Sequence, residues 1–281
     1  MTELLAVSLR YLDELSPIAG LVRSQQHQNM SWQSDDIALD IANADAWLTR
    51  LLDLVLSSEQ RVAKATFLLK TLDIDLLLEW TKMLAEKLKS YMYQCLSPYR
   101  FLAKLAECAI LDSPTATALA SRLTFDKVHE ILLPDIINDV GLLLSSIIAV
   151  TPVNFAQSWI DALVQNPLTL KTFVDAVSPT NIETVRFFAN LMQETSYNEL
   201  AQMGVIHFNL LTKLVQILTS VTVMPRDIKL TLGLCFTIVI EMDEDDLSDN
   251  KINESGYFGV LEELKGHSND EVSAFAMELH D

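Results

Sequence analysis

The sequence has 281 residues, half of them hydrophobic, with 20 lysines and arginines against 38 aspartates and glutamates, a formal net charge of −18. That much apolar content argues against disorder, and the seven glycines and eight prolines are too few to punctuate a many-stranded β protein. Phosphate backbones select dense basic faces, so the acidic balance argues against nucleic acid and anionic membranes as partners. The same charge favours basic peptides, although it equally serves solubility.

Leu, Ala, Ile and Val fill stretches of twelve to twenty residues between short polar breaks, the pattern of an all-α chain. Leu4, Leu5, Leu9, Leu12 and Leu15 predict a first helix over Thr2–Leu15. Glu3 and Arg10 interrupt its apolar run and argue against a signal peptide. Residues 23–34 are polar and predict a flexible loop, after which Ser34 or Asp35 caps a helix to about Leu56. Further helices are predicted from Ser57, Asp73 and Ser97, then over "DSPTATALASRL" and "TFDKVHEILL". Pro134 ends that last helix and sits at the first turn of "DIINDVGLLLSSIIAV".

"TPVNFAQSWIDALVQ" and "NPLTLKTFVDAV" come next, then a long helical stretch from Ser178 to Leu218, then "MPRDIKLTLGLCFTIVI". Its β-branched end, Cys235–Ile240, continues the pattern opened by Pro225 and is expected to be buried helix. Residues 241–255 are acidic and predict a second flexible loop before a last helix pair. The longest uncharged apolar stretch of note, Val140 to Val150, is too short to span a bilayer, which needs about twenty residues. The whole, residues 1–281, is expected to form a single domain in the cytoplasm or nucleus.

Three stretches share one form: a turn, polar residues, a valine, then small or apolar residues. They are "SSEQRVAKATFLL", "SPTNIETVRFFANL" and "HSNDEVSAFAMEL". Val62 and Val185 are 123 residues apart, three times 41, and Val185 and Val272 are 87 apart, about twice 43. The same period points to "SPYRFLAKLAEC" and "MPRDIKLTLGLCF", whereas near position 144 "NDVGLLLSSII" lacks a turn at the expected place. Ala65, Ala106, Ala189 and Ala276 are small enough for close helix packing. One such unit cannot bury its own apolar face, so neighbours must stack.

"VRFFANLMQETSYNELAQMGVIHFNLLTKLVQIL" resembles the armadillo pattern: a helix ending in Asn190-Leu191, a short polar helix, Gly204, then a Leu-rich helix. "VLEELKGHSNDEVSAFAMEL" resembles a terminal unit of the same kind. The resemblance is to the armadillo/HEAT superfamily; it covers residues 178–281, with a weaker echo over 45–112. It implies an armadillo-like right-handed superhelix of stacked helical repeats, about six units in all. The glycine is expected to make the sharp turn between two helices. In such proteins the third helix of each unit lines a groove, where an asparagine ladder grips an extended peptide. Arg186 and Asn190 are the candidates here for protein binding. Trp47, Trp80 and Trp159 are not followed by Asn four residues later, so the usual ladder for nuclear-localisation peptides is not supported.

Catalytic chemistry has no visible carrier. The five histidines are scattered, and Cys95, Cys108 and Cys235 form no C-x-x-C pair and read as reduced core thiols. No phosphate loop, dinucleotide fingerprint or nucleophile elbow occurs, and the acidic stretch lacks the Gly and Glu of a calcium loop. The expectation is a non-enzymatic adaptor or scaffold without a cofactor, binding a peptide or helix of a partner protein. The alternative is a structural subunit of a larger complex or homodimer.

Overall fold

The computed structural model describes residues 52–53, 55–57, 59–71, 75, 98–109, 112–129, 132, 136–151, 153–193, 197–242 and 246–280. The expected helices at Thr2–Leu15 and from Asp73, the loop at 23–34, Trp47, Trp80 and Cys95 lie outside them. Among the described residues every regular element is α-helical. The fold is all-α.

The chain divides into two compact units, Met1–Ile110 and Leu111–Asp281. In the first, α1 (Arg61–Thr71) packs on α2 (Pro98–Cys108). Ala65, Leu69, Leu102 and Leu105 are buried there, whereas Val62 is 39% exposed. Val62 therefore does not occupy the environment of Val185 and Val272, both fully buried in the second unit. The sequence match placed the turn correctly and the valine wrongly.

The second unit holds α3 (Ser113–Ala120), α4 (Phe125–His129), α5 (Ile137–Ile148), α6 (Val153–Gln165), α7 (Pro167–Ala176), α8 (Ile182–Leu191), α9 (Asn198–Phe208) and α10 (Leu210–Leu218). It continues through α11 (Pro225–Ile240), α12 (Asp246–Ser255), α13 (Tyr257–Leu264) and α14 (Asp270–His280). The starts follow ordinary capping chemistry. Asp112 accepts a hydrogen bond from the Thr115 N–H at 3.0 Å, and Asn269 does the same for Val272 at 3.1 Å. Pro167 and Pro225 open α7 and α11, where a missing N–H leaves no bond unmade.

Two features differ from expectation. The acidic stretch is not a loop throughout, because residues 246–255 form α12. Ser248, Ile252 and Ser255 are buried at helical spacing, and that one inward face holds an otherwise charged helix in place. The second difference is Gly204, which lies inside α9 rather than at a turn. A Cβ there would come within 3.0 Å of the Leu210 side chain, so the glycine admits the first residue of α10. The turn itself is made by Asn209 in the left-handed region, with φ 57°. At the matching joint between α12 and α13 stands Gly256, with φ 78°.

Left-handed backbone costs a non-glycine residue about 1–2 kcal/mol, and asparagine less than most. Asn209→Gly is therefore expected to be neutral or slightly stabilising, and Asn209→Ala to lower stability by about 1 kcal/mol, read from urea unfolding. Equal stability of the two variants would show that the backbone at this joint relaxes out of the left-handed region.

Helices three apart in the chain pack together: α5 on α8, α8 on α11, and α11 on α14, with α6 on α9, α9 on α12 and α10 on α13. Burial repeats in the same register. Val140, Val185, Ile228 and Val272 are all buried, and so are Leu144, Ala189, Leu232 and Ala276 one turn later. A second quartet recurs as Leu170, Phe173, Val174 and Val177; Leu211, Leu214, Val215 and Leu218; and Tyr257, Val260, Leu261 and Leu264. The segment whose sequence match degraded near position 144 is thus α5, in step with the others. All four alanines expected at close contacts (Ala65, Ala106, Ala189 and Ala276) are buried.

Part of the core is an aromatic cluster. Trp159 of α6 meets Phe125 edge-on at 5.3 Å and Phe187 at 6.0 Å, and Phe187 contacts Phe173 at 4.9 Å and Phe188 at 5.7 Å. Four helices, α4, α6, α7 and α8, are joined through these rings.

Candidate functional site

The two residues proposed from the sequence sit one helical turn apart on α8, both half-buried. Their spacing of four puts them on one face. Each is tied to a different neighbour in the α5, α8, α11 and α14 row. Asn190 Nδ2 donates to the Ser145 carbonyl of α5 at 2.8 Å. That carbonyl also accepts from the Ala149 N–H at 3.1 Å, so the side chain adds a bond without displacing the helix ladder. Arg186 donates to Glu183 on its own helix at 2.8 Å and reaches Asp227 at the start of α11, 3.8 Å away.

The Arg186 contact has a counterpart one helix on. Lys229, at the same register of α11, pairs with Glu271 of α14 at 3.2 Å and lies 5.9 Å from the Phe275 ring centroid. In both rungs a cation in the second turn of one helix meets a carboxylate in the first turn of the next. The Asp227 side chain is only 10% exposed, and Arg226 stands 3.6 Å from it as a second cation. The corresponding register of α5 is occupied by Gly141. It brings the backbones together, with a built Cβ 3.4 Å from the Glu183 carbonyl oxygen and the Thr184 Cα.

A further tie crosses from α7 to α10, where Lys213 stands 3.5 Å from Asp175. Lys171 hydrogen-bonds the same carboxylate, and that bond, reinforced by both lysine charges, holds Asp175 below the usual carboxylate range. Asp227, Lys229 and Ser145 were missed from the sequence. Their signal was present as charge or polarity recurring at about one repeat length, and it required the register of burial to be read.

The remaining candidates for chemistry resolve into packing. His129 bonds Thr169 Oγ1 at 2.6 Å and stacks on Phe125, rather than pairing with Asp126 on its own helix. His267 Nδ1 accepts the Asn269 N–H at 3.0 Å and braces the turn before α14; the cap itself is Asn269. His207 is exposed at the end of α9. Cys235 is buried, and burial pushes its thiol up, so it carries no thiolate for nucleophilic attack. Cys108 is a free, half-buried thiol. Among the described residues no group of His, Cys, Asp and Glu is placed to hold a metal ion, and no helix is long and apolar enough to cross a membrane.

Compared with known proteins, the chain matches no family model and no curated sequence.

Proposed function

We propose that the chain is a non-enzymatic protein-interaction module, an adaptor or scaffold, whose second unit is a stack of armadillo-like three-helix repeats. The partner is a peptide or helix of another protein, basic to suit the charge, laid along the row α5, α8, α11 and α14. One observation carries the reading: burial recurs in register at Val140, Val185, Ile228 and Val272, on helices that pack in succession. Repeats of this kind present one helix of each unit side by side, and such surfaces serve recognition. Arg186 keeps 32% of its side chain exposed and has more guanidinium N–H groups than its two carboxylate contacts use. It and Asn190 are the proposed contact residues, at work in the cytoplasm or nucleus.

The test is affinity purification from native cells with the wild-type chain and with Arg186→Glu/Asn190→Ala, each first shown to be folded by circular dichroism. A protein retained by the wild type and lost by about ten-fold from the variant supports the row. Equal retention by both removes the row as the binding face. Obligate self-association in light scattering, with no other partner, would instead make the chain a structural subunit.

A further inference from the structure

Residues 241–281 hold thirteen acidic residues and two lysines, a formal −11 in a chain of −18. Both lysines are paired internally, Lys251 with Glu254 at 3.0 Å and Lys265 with Glu262 at 2.8 Å. Glu263 on α13 and Glu278 on α14 remain exposed. Among the carboxylates of α13 and α14 stand two large apolar side chains that the second unit leaves uncovered, Phe258 at 52% and Met277 at 49% exposure.

They share a face. Phe258 lies one turn before Glu262 on α13, and Met277 three residues before His280 on α14. Ser273 Oγ donates to the Lys265 carbonyl and His280 Nε2 meets Glu262 Oε1 at 2.7 Å, so the two helices run antiparallel here and Phe258 and Met277 lie on either side of the Glu262–His280 contact. The result is two exposed apolar side chains, spaced by the Glu262–His280 contact and flanked by carboxylates, on two packed helices.

Charge decides what can cover it. A second copy would bring together two segments of −11, and a nucleic acid would add phosphates to carboxylates. A basic amphipathic helix satisfies both parts of the surface. Its apolar stripe covers Phe258 and Met277, while lysines or arginines on its flanks meet Glu263 and Glu278. We propose that the face formed by α13 and α14 docks a basic amphipathic helix of a partner protein. This rests on the reading of the chain as an interaction module, but not on the row through Arg186 and Asn190.

The probe is a fluorescein-labelled 18-residue amphipathic peptide of leucine and lysine, titrated by anisotropy against the whole chain at physiological salt. The controls are a leucine–glutamate peptide of the same pattern and three variants: Phe258→Ser/Met277→Ser, Glu263→Lys/Glu278→Lys, and Arg186→Glu/Asn190→Ala. The expected result is binding of the lysine peptide alone. Each of the first two variants weakens it about ten-fold or more, and the third leaves it unchanged. The altered face residues are exposed, so these variants keep the fold, with circular dichroism as the check. Unchanged affinity in both face variants overturns the proposal, as does equal binding of the glutamate peptide. A loss confined to Arg186→Glu/Asn190→Ala sinks it while leaving the row reading standing. Dimerisation of the wild type abolished by Phe258→Ser/Met277→Ser would give the face to a second copy, which also overturns it.

Discussion

Replacing Trp159 with alanine is expected to lower the stability of the second unit by about 3–5 kcal/mol, most of what a marginally stable domain has to lose. The indole is among the largest fully buried side chains of the described residues and touches the Phe125, Phe155 and Phe187 rings. Its removal leaves a void whose walls are contributed by separate helices, so collapse cannot be local. Phe187 would also lose its edge-to-face partner while still holding Phe173 and Phe188. Trp159→Phe is expected to cost far less, about 1–2 kcal/mol. The smaller ring keeps most contacts and removes an indole N–H that finds no acceptor within the described residues. Urea midpoints followed by far-ultraviolet circular dichroism separate the two. A loss below about 1 kcal/mol for Trp159→Ala would mean that the aromatic cluster is not a cooperative core.

What was legible in the sequence was set by residues that act locally. Helix starts were legible where Pro167 and Pro225 act on their own turn, with no help from the rest of the fold. The repeat length was legible for a similar reason, since a turn residue and a buried valine recur at Val185 and Val272. What failed depended on partners distant in sequence. α5 looked like a poor copy because its turn signal is absent, yet Val140 and Leu144 occupy the buried register that packing conserves. α12 looked like a loop because its composition is charged, and only its buried side, with Ile252, makes it a helix. Gly204 was expected to bend the chain but instead makes room for Leu210, while Asn209 bends it. Arg186 and Asn190 stand four residues apart, which puts them on one face of a helix. That each is bound to a different helix, 41 and 45 residues away, could not be read without the stack.

A joint where two backbones of that stack approach closely supplies the second large effect. A Cβ on Gly141 would lie 3.4 Å from the Glu183 carbonyl oxygen and from the Thr184 Cα, both backbone atoms at the start of α8. Backbone cannot rotate away as a side chain can. Gly141→Ala therefore sets a helix-propensity gain of up to about 1 kcal/mol against a shift of a few tenths of an ångström, and a net change within about 1 kcal/mol is expected. Gly141→Leu has no such escape. Three further carbons must enter between α5 and α8, separating the Val140 and Val185 layer and stretching the 2.8 Å bond from Asn190 to the Ser145 carbonyl. The expected loss is about 3 kcal/mol or more. Gly233 is the control. A Cβ there meets only the Phe275 ring, at 3.7 and 3.8 Å, on a half-buried side chain free to yield, so Gly233→Ala should be neutral or stabilising. Denaturant unfolding of the three variants reads the contrast directly. If Gly141→Leu were as mild as Gly233→Ala, α5 would not be held against α8 as closely as its burial register requires, and the α5 end of the row would lose its support as a continuous recognition surface.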